Sequence, residues 1–176
     1  MGERVMKGYV QVYTGDGKGK TTAAIGLALR AVGAGLKVFM GQFVKGMEYS
    51  ELKSLARLAP ELVVKQYGRE RFVHNKPQEE DFRAGRSGYE EVKKIIQSAQ
   101  YDVVILDEAN IAVYFQILSV EDMLALIDEK PDSVELVFTG RKADPRLLEK
   151  ADLVTEMKEI KHYYSKGITA REGIEK

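Results

Sequence analysis

The run Thr14-Gly15-Asp16-Gly17-Lys18-Gly19-Lys20-Thr21 constrains this chain more than any other feature. It follows a short alternating stretch, Tyr9 to Tyr13, and opens a nearly all-apolar one, Thr21 to Ala34, whose only charge is Arg30. That order reads as strand, tight glycine turn, helix. Glycines at 15, 17 and 19 let the backbone curl, so that successive amides point at one anion. The helix N-terminus adds a partial positive charge there. Lys20 then falls against the distal phosphates of a nucleotide, and the Thr21 hydroxyl against a divalent ion. The pattern predicts bound ATP with Mg2+ (or Mn2+). The binding residues are Thr14, Gly15, Asp16, Gly17, Lys18, Gly19, Lys20, Thr21 and Thr22, with Thr14 standing where the motif usually has its first glycine. The helix is expected to be buried on most sides and to end at Gly33 and Gly35.

Downstream, strand-like runs alternate with helical ones. Strands are expected at Lys37 to Met40, Leu62 to Gln66, Tyr101 to Leu106, Val134 to Phe138 and Leu153 to Met157. Helices are expected at Ser50 to Leu58 and over Phe82 to Ala99. Another starts at Ser119, with Asp122 completing a capping box, and runs to Glu129; a short one opens at Asp144-Pro145. Alternation of this kind needs crossover connections. It predicts an α/β fold, a P-loop NTPase (RecA-like) three-layer sandwich with a mainly parallel central sheet. Ligands of such sheets sit beyond the carboxyl ends of the strands.

An apolar strand, Val103 to Leu106, carries Asp107 and Glu108 at its tip. Beside a phosphate loop, one carboxylate binds the metal and the other orients water or holds the lysine; the sequence leaves open which does which. At 176 residues the chain is expected to form one domain, 1–176. Twenty-seven basic and 27 acidic residues cancel, which removes any global pull toward nucleic acid or membrane. There is no cysteine, hence no thiolate chemistry. Met1 to Lys7 has no apolar core of signal-peptide length, and no apolar run spans a bilayer, so a cytoplasmic location is expected. These residues alone leave many activities open, among them a small-molecule kinase or ATPase with Glu108 as base, and a non-catalytic nucleotide switch or nucleic-acid-remodelling module of RecA type. The neutral composition and the lack of tryptophan argue against the last.

Other segments carry a resemblance. Gln42-Phe43-Val44-Lys45-Gly46, Leu106-Asp107-Glu108, Thr139-Gly140-Arg141, Ala151 through Met157, Lys161-His162 and Gly173-Ile174-Glu175 join the phosphate loop in a pattern. With it, the chain resembles the ATP:corrinoid adenosyltransferases of the enterobacterial cobalamin type. The resemblance implies that Co(I) of a reduced corrinoid attacks the 5′ carbon of ATP and that triphosphate leaves. It implies Lys20, Glu108 and Arg141 as catalytic residues, and Thr21, Asp107 and Glu108 as metal ligands. Phe72, His74 and Lys45 are implied at the corrinoid. Relatives often read Phe-x-Trp where this chain has Phe72-Val73-His74. A flavoprotein electron donor and a homodimer are implied as partners, with no nucleic acid or membrane.

Overall fold

The computed structural model describes residues 7–69 and 76–175. Strand β1 (Val10–Thr14) leads through the glycine loop into helix α1 (Lys20–Gly33). β2 (Val38–Phe43), α2 (Ser50–Leu55) and β3 (Leu62–Tyr67) follow, then the long α3 (Glu79–Ser98). β4 (Val103–Asp107), α4 (Ala109–Tyr114), α5 (Val120–Glu129) and β5 (Glu135–Thr139) come next. α6 (Pro145–Lys150) and β6 (Leu153–Glu156) follow, and a single 3-10 turn lies beyond them at Tyr163–Lys166. The six strands lie in the order β3-β2-β4-β5-β1-β6 and every pair is parallel, so the expected α/β sandwich holds. A parallel pair needs a crossover, and here helices cover both faces.

Alternation along the strands divides the core. Val104, Leu106 and Phe138 point to one face and pack under Tyr89, Val92 and Ile96 of α3 and Met123 and Leu126 of α5. Val103, Ile105 and Val137 point to the other and meet Ala24, Ala28 and Ala31 of α1. Burying a side chain such as Phe138 contributes roughly 1.5–3 kcal/mol. The alanines stand one helical repeat apart and let α1 lie close on the sheet.

Two expectations differ from the structure. α1 is buried along one stripe only, Lys20, Ala24, Ala28 and Ala31, and Leu29 is 49% exposed. Ile25, Leu27 and Val32 beside the stripe are only partly buried against the same cluster, because a helix lying on a sheet turns one side to it. The short α4 was not expected: too few residues separate Glu108 from Gln116 to show a helical period. Tyr114 and Tyr164 are exposed. Among the described residues, no helix is long and apolar enough to cross a membrane.

Candidate functional site

β1, β4 and β5 end in a buried polar residue, Thr14, Asp107 and Thr139, and β2 carries buried Gln42 one residue before its end. A polar group is costly to bury unless it finds partners, and these four sit where the strand ends bring partners together. Asp107 is fully buried and accepts four hydrogen bonds. Its Oδ1 accepts from the hydroxyls of Thr21 at 2.8 Å and Thr139 at 2.6 Å. Its Oδ2 accepts from Lys45 Nζ at 2.8 Å and Gln42 Nε2 at 3.2 Å. Gln42 is a direct neighbour because it lies opposite Asp107 in the β2–β4 register, and Gln66 Nε2 supports it at 3.1 Å.

The glycine loop is shaped by two constraints. Gly15 has φ +92°, and a Cβ there would lie 2.5 Å from the Met157 carbonyl oxygen. Gly19, with φ +122°, caps α1 without a side chain. No acidic residue lies in the first turn of α1. Its amides and dipole therefore face outward without a competing carboxylate. Lys20 folds over the loop, donating to the carbonyls of Gly15 at 2.7 Å and Gly17 at 2.6 Å. Burial pulls its pKa down, with Glu108 opposing and Arg141 reinforcing that fall.

The exit of β6 pins this loop. The Gly17 amide donates to the Met157 carbonyl at 2.7 Å, and the Met157 amide to the Thr14 carbonyl at 2.8 Å. Lys18 Nζ donates to the Ile174 carbonyl at 2.7 Å, bringing the C-terminal segment over the loop. Asp16 is exposed and 3.8 Å from the Lys142 ammonium. The Thr14 hydroxyl accepts from the Ala143 amide at 3.4 Å.

Glu108 adopts a left-handed conformation, φ +57°, at the start of α4, with its amide held by the Thr139 hydroxyl at 3.1 Å. That turn separates it from Asp107: one carboxylate is sealed in the sheet, while the other lines a cleft of about 620 Å³. Burial and the Asp107 charge push the Glu108 carboxyl above its ordinary range, against Lys45, Lys20 and Arg141. Thr21, Thr22, Lys45 and Tyr49 line the same cleft, with Gly173 to Glu175 as a further wall. Arg141 is exposed and follows Gly140, whose carbonyl accepts from buried Asn110 Nδ2 at 2.9 Å.

The sequence-predicted loop residues, Asp107, Glu108 and Lys45 thus meet at one end of the sheet. Phe72 and His74 lie outside the described residues. Lys45 is turned into the acid cluster, with its side chain only 14% exposed. Thr139, Gln42, Met157 and Ile174 were not singled out individually. Their signals were present only as the segments that carry the resemblance. A buried polar residue at a strand end reveals its role once register is known.

The donor set suits magnesium. A hydroxyl and one or two carboxylates are hard oxygen ligands, and this ion takes the rest of its shell from water and phosphates. Among the described residues no group of three His, Cys, Asp or Glu is placed to hold a metal ion by itself. A family model described as "ATP:corrinoid adenosyltransferase BtuR/CobO/CobP" matches residues 6–175. The corrinoid adenosyltransferase of Escherichia coli K12 is 36% identical over 170 residues, 96% of this chain and 86% of that protein. Those of Pseudomonas aeruginosa and Salmonella typhimurium are each 34% identical over 96% of this chain, and over 84% and 86% of their own lengths.

Proposed function

This chain belongs to the ATP:corrinoid adenosyltransferases, and from that premise we propose that Thr14 to Thr22 clamp the triphosphate of ATP as a leaving group. The enzyme is a transferase that moves the adenosyl group of ATP to a corrinoid in cobalamin biosynthesis. The cobalt, as Co(I), supplies an electron pair to the 5′ carbon of the ribose. The carbon–oxygen bond breaks, and its electrons leave with triphosphate. No hydroxyl or water has to be activated.

The residues then divide the work. Lys20 exchanges its loop carbonyls for phosphate oxygens and, with Arg141, stabilises the charge that develops on the leaving group. The start of α1 adds its amides. Thr21, Asp107 and Glu108 would hold magnesium, which when bound neutralises the triphosphate. Phe72 and His74 are assigned to the corrinoid by resemblance. A single domain, 1–176, acting as a cytoplasmic homodimer and served by a flavoprotein electron donor, completes the reading. The observation that carries it is the Thr21–Asp107 hydrogen bond at 2.8 Å, which joins the phosphate loop to the acidic strand tip.

The test is anaerobic incubation with Mg-ATP and chemically reduced corrinoid, followed by absorbance. Loss of the Co(I) spectrum, an alkyl-cobalt spectrum and free triphosphate are expected. Unchanged Co(I) with ADP accumulating would overturn the reading in favour of a kinase or ATPase.

A further inference from the structure

We infer that the Lys45 ammonium holds the place of the divalent cation at Asp107, so that metal enters this site only together with the triphosphate. The inference rests on the triphosphate-clamp reading above and assigns a regulator to that same site.

The geometry begins with saturation. Both oxygens of Asp107 are filled: Oδ1 by the hydroxyls of Thr21 and Thr139, Oδ2 by Lys45 and Gln42. Lys45 Nζ also stands 3.4 Å from the Thr21 hydroxyl. Its ammonium therefore touches the two groups through which the loop and the strand tip would hold a metal. Ammonium and metal are both cations, and a metal on Asp107 Oδ2 would lie about 2 Å from that oxygen, inside the space that Lys45 uses at 2.8 Å. The two are exclusive.

The loop that delivers Lys45 is built for that position. Val44 is a β-branched residue at φ +59°, a conformation such residues rarely adopt. The turn it makes is wedged against a neighbouring strand exit: a Cβ on Gly46 would meet the Arg69 backbone at 2.4 Å, and one on Gly68 the Lys45 amide nitrogen at 2.4 Å. The lysine stem is flanked by the Tyr49 ring, 5.3 Å from its ammonium. A strained, tightly packed turn that aims one cation at one buried acid is costly to maintain without a role.

Electrostatics gives the role. Fully buried Asp107 requires a counter-charge at all times, because an unpaired buried charge is strongly destabilising. Lys45 supplies it before substrate binds. A metal alone must break this hydrogen-bonded ion pair and leave Lys45 only the more distant charges of Glu108 and Glu51. A metal arriving on triphosphate brings phosphate oxygens to which Lys45 can transfer, so the exchange keeps every charge paired. Metal and nucleotide binding are thereby coupled through one side chain.

The test uses Mn2+ as the probe, with binding read by its electron paramagnetic resonance, on the full chain. Wild type should bind Mn2+ weakly without nucleotide and tightly with ATP. Lys45→Met should bind Mn2+ without nucleotide about tenfold tighter or more than wild type. Mn2+ alone should raise its thermal midpoint while leaving wild type unmoved. Lys45→Arg should still exclude the ion. Lys45→Gln, which retains a donor, is run in parallel in case Met disturbs folding. Mn2+ binding that is equal in wild type and both neutral variants would overturn the inference. So would neutral variants that fail to fold even with Mn2+ present, since the ion is required to replace the ammonium. A protein that binds Mn2+ as described but never ATP would instead overturn the triphosphate reading and leave the exclusion standing.

Discussion

Helix α5 begins at Ser119, whose hydroxyl accepts from the Asp122 amide at 3.1 Å while the Asp122 carboxylate accepts from the Ser119 amide at 2.8 Å. Helix α1 begins at Gly19, with no side-chain cap and no acid in its first turn. Both starts expose the same orphan amides and the same positive end of a dipole. In α5 these are satisfied from within, and the result is stability. In α1 no side chain caps them, and Lys20 stands in the first turn where α5 has carboxylates. The acids nearest each start follow suit. Burial would raise the Asp122 carboxyl, but its bonds from Arg86 and Ser119 outweigh that and hold it low. Glu108, facing the α1 end, is pushed up by burial and by Asp107. The capped start of α5 serves the fold, and the uncapped start of α1 is the one proposed above for the triphosphate.

The comparison is broken most readily at Lys20. Lys20→Ala should lower turnover by about 10²–10³-fold, as expected for a lost preorganised charge at a leaving group. Thermal midpoint should change little, and a variant that stays active would mean that the α1 end does not hold the triphosphate. Next, Thr22→Glu writes an α5-like acid into the first turn of α1. ATP affinity should fall about tenfold or more through like-charge repulsion, while the helix gains about 0.3–1 kcal/mol. Calorimetric titration and thermal unfolding together check the opposed signs.

Ser119→Ala, the corresponding change at α5, should cost about 1 kcal/mol in denaturant unfolding and leave ATP affinity unchanged. The smallest effects are read against pH. Asp122 has a folded pKa below its ordinary 3.8, so its contribution is present above that value and is lost as pH falls through the folded pKa. Asp122→Asn should thus be less stable than wild type at neutral pH, and the gap should close in acid. Glu108 has a folded pKa above its ordinary 4.5, so its ionisation disfavours the fold as pH rises through the folded value. Glu108→Gln should be the more stable protein at neutral pH, with that gap also closing below the ordinary value. Parallel rather than opposed stability curves for the two variants would remove the contrast between the two helix starts.

Both helix starts were legible in the sequence. Ser119 with Asp122 gave one, and the glycine-lysine-threonine run gave the other, because capping and loop chemistry act within a few residues. Strand and helix alternation likewise predicted a parallel sheet, since crossovers follow from the order of elements. Less was legible where burial depended on a neighbour. α1 looked buried on most sides, yet only Lys20 and its alanine stripe are fully buried.

The sequence by itself therefore determined the phosphate loop, the acidic strand tip and the α/β order, all of which rest on short-range spacing. Tertiary structure alone decided how those parts engage. It separated Asp107 from Glu108 by a left-handed turn, set Gln42 opposite Asp107 by register, and turned Lys45 onto the same carboxylate. It also locked Gly17 to Met157 across the β1–β6 edge. Each of these joins residues far apart along the chain, and a buried charge takes its partner from whatever the packing brings within hydrogen-bond reach.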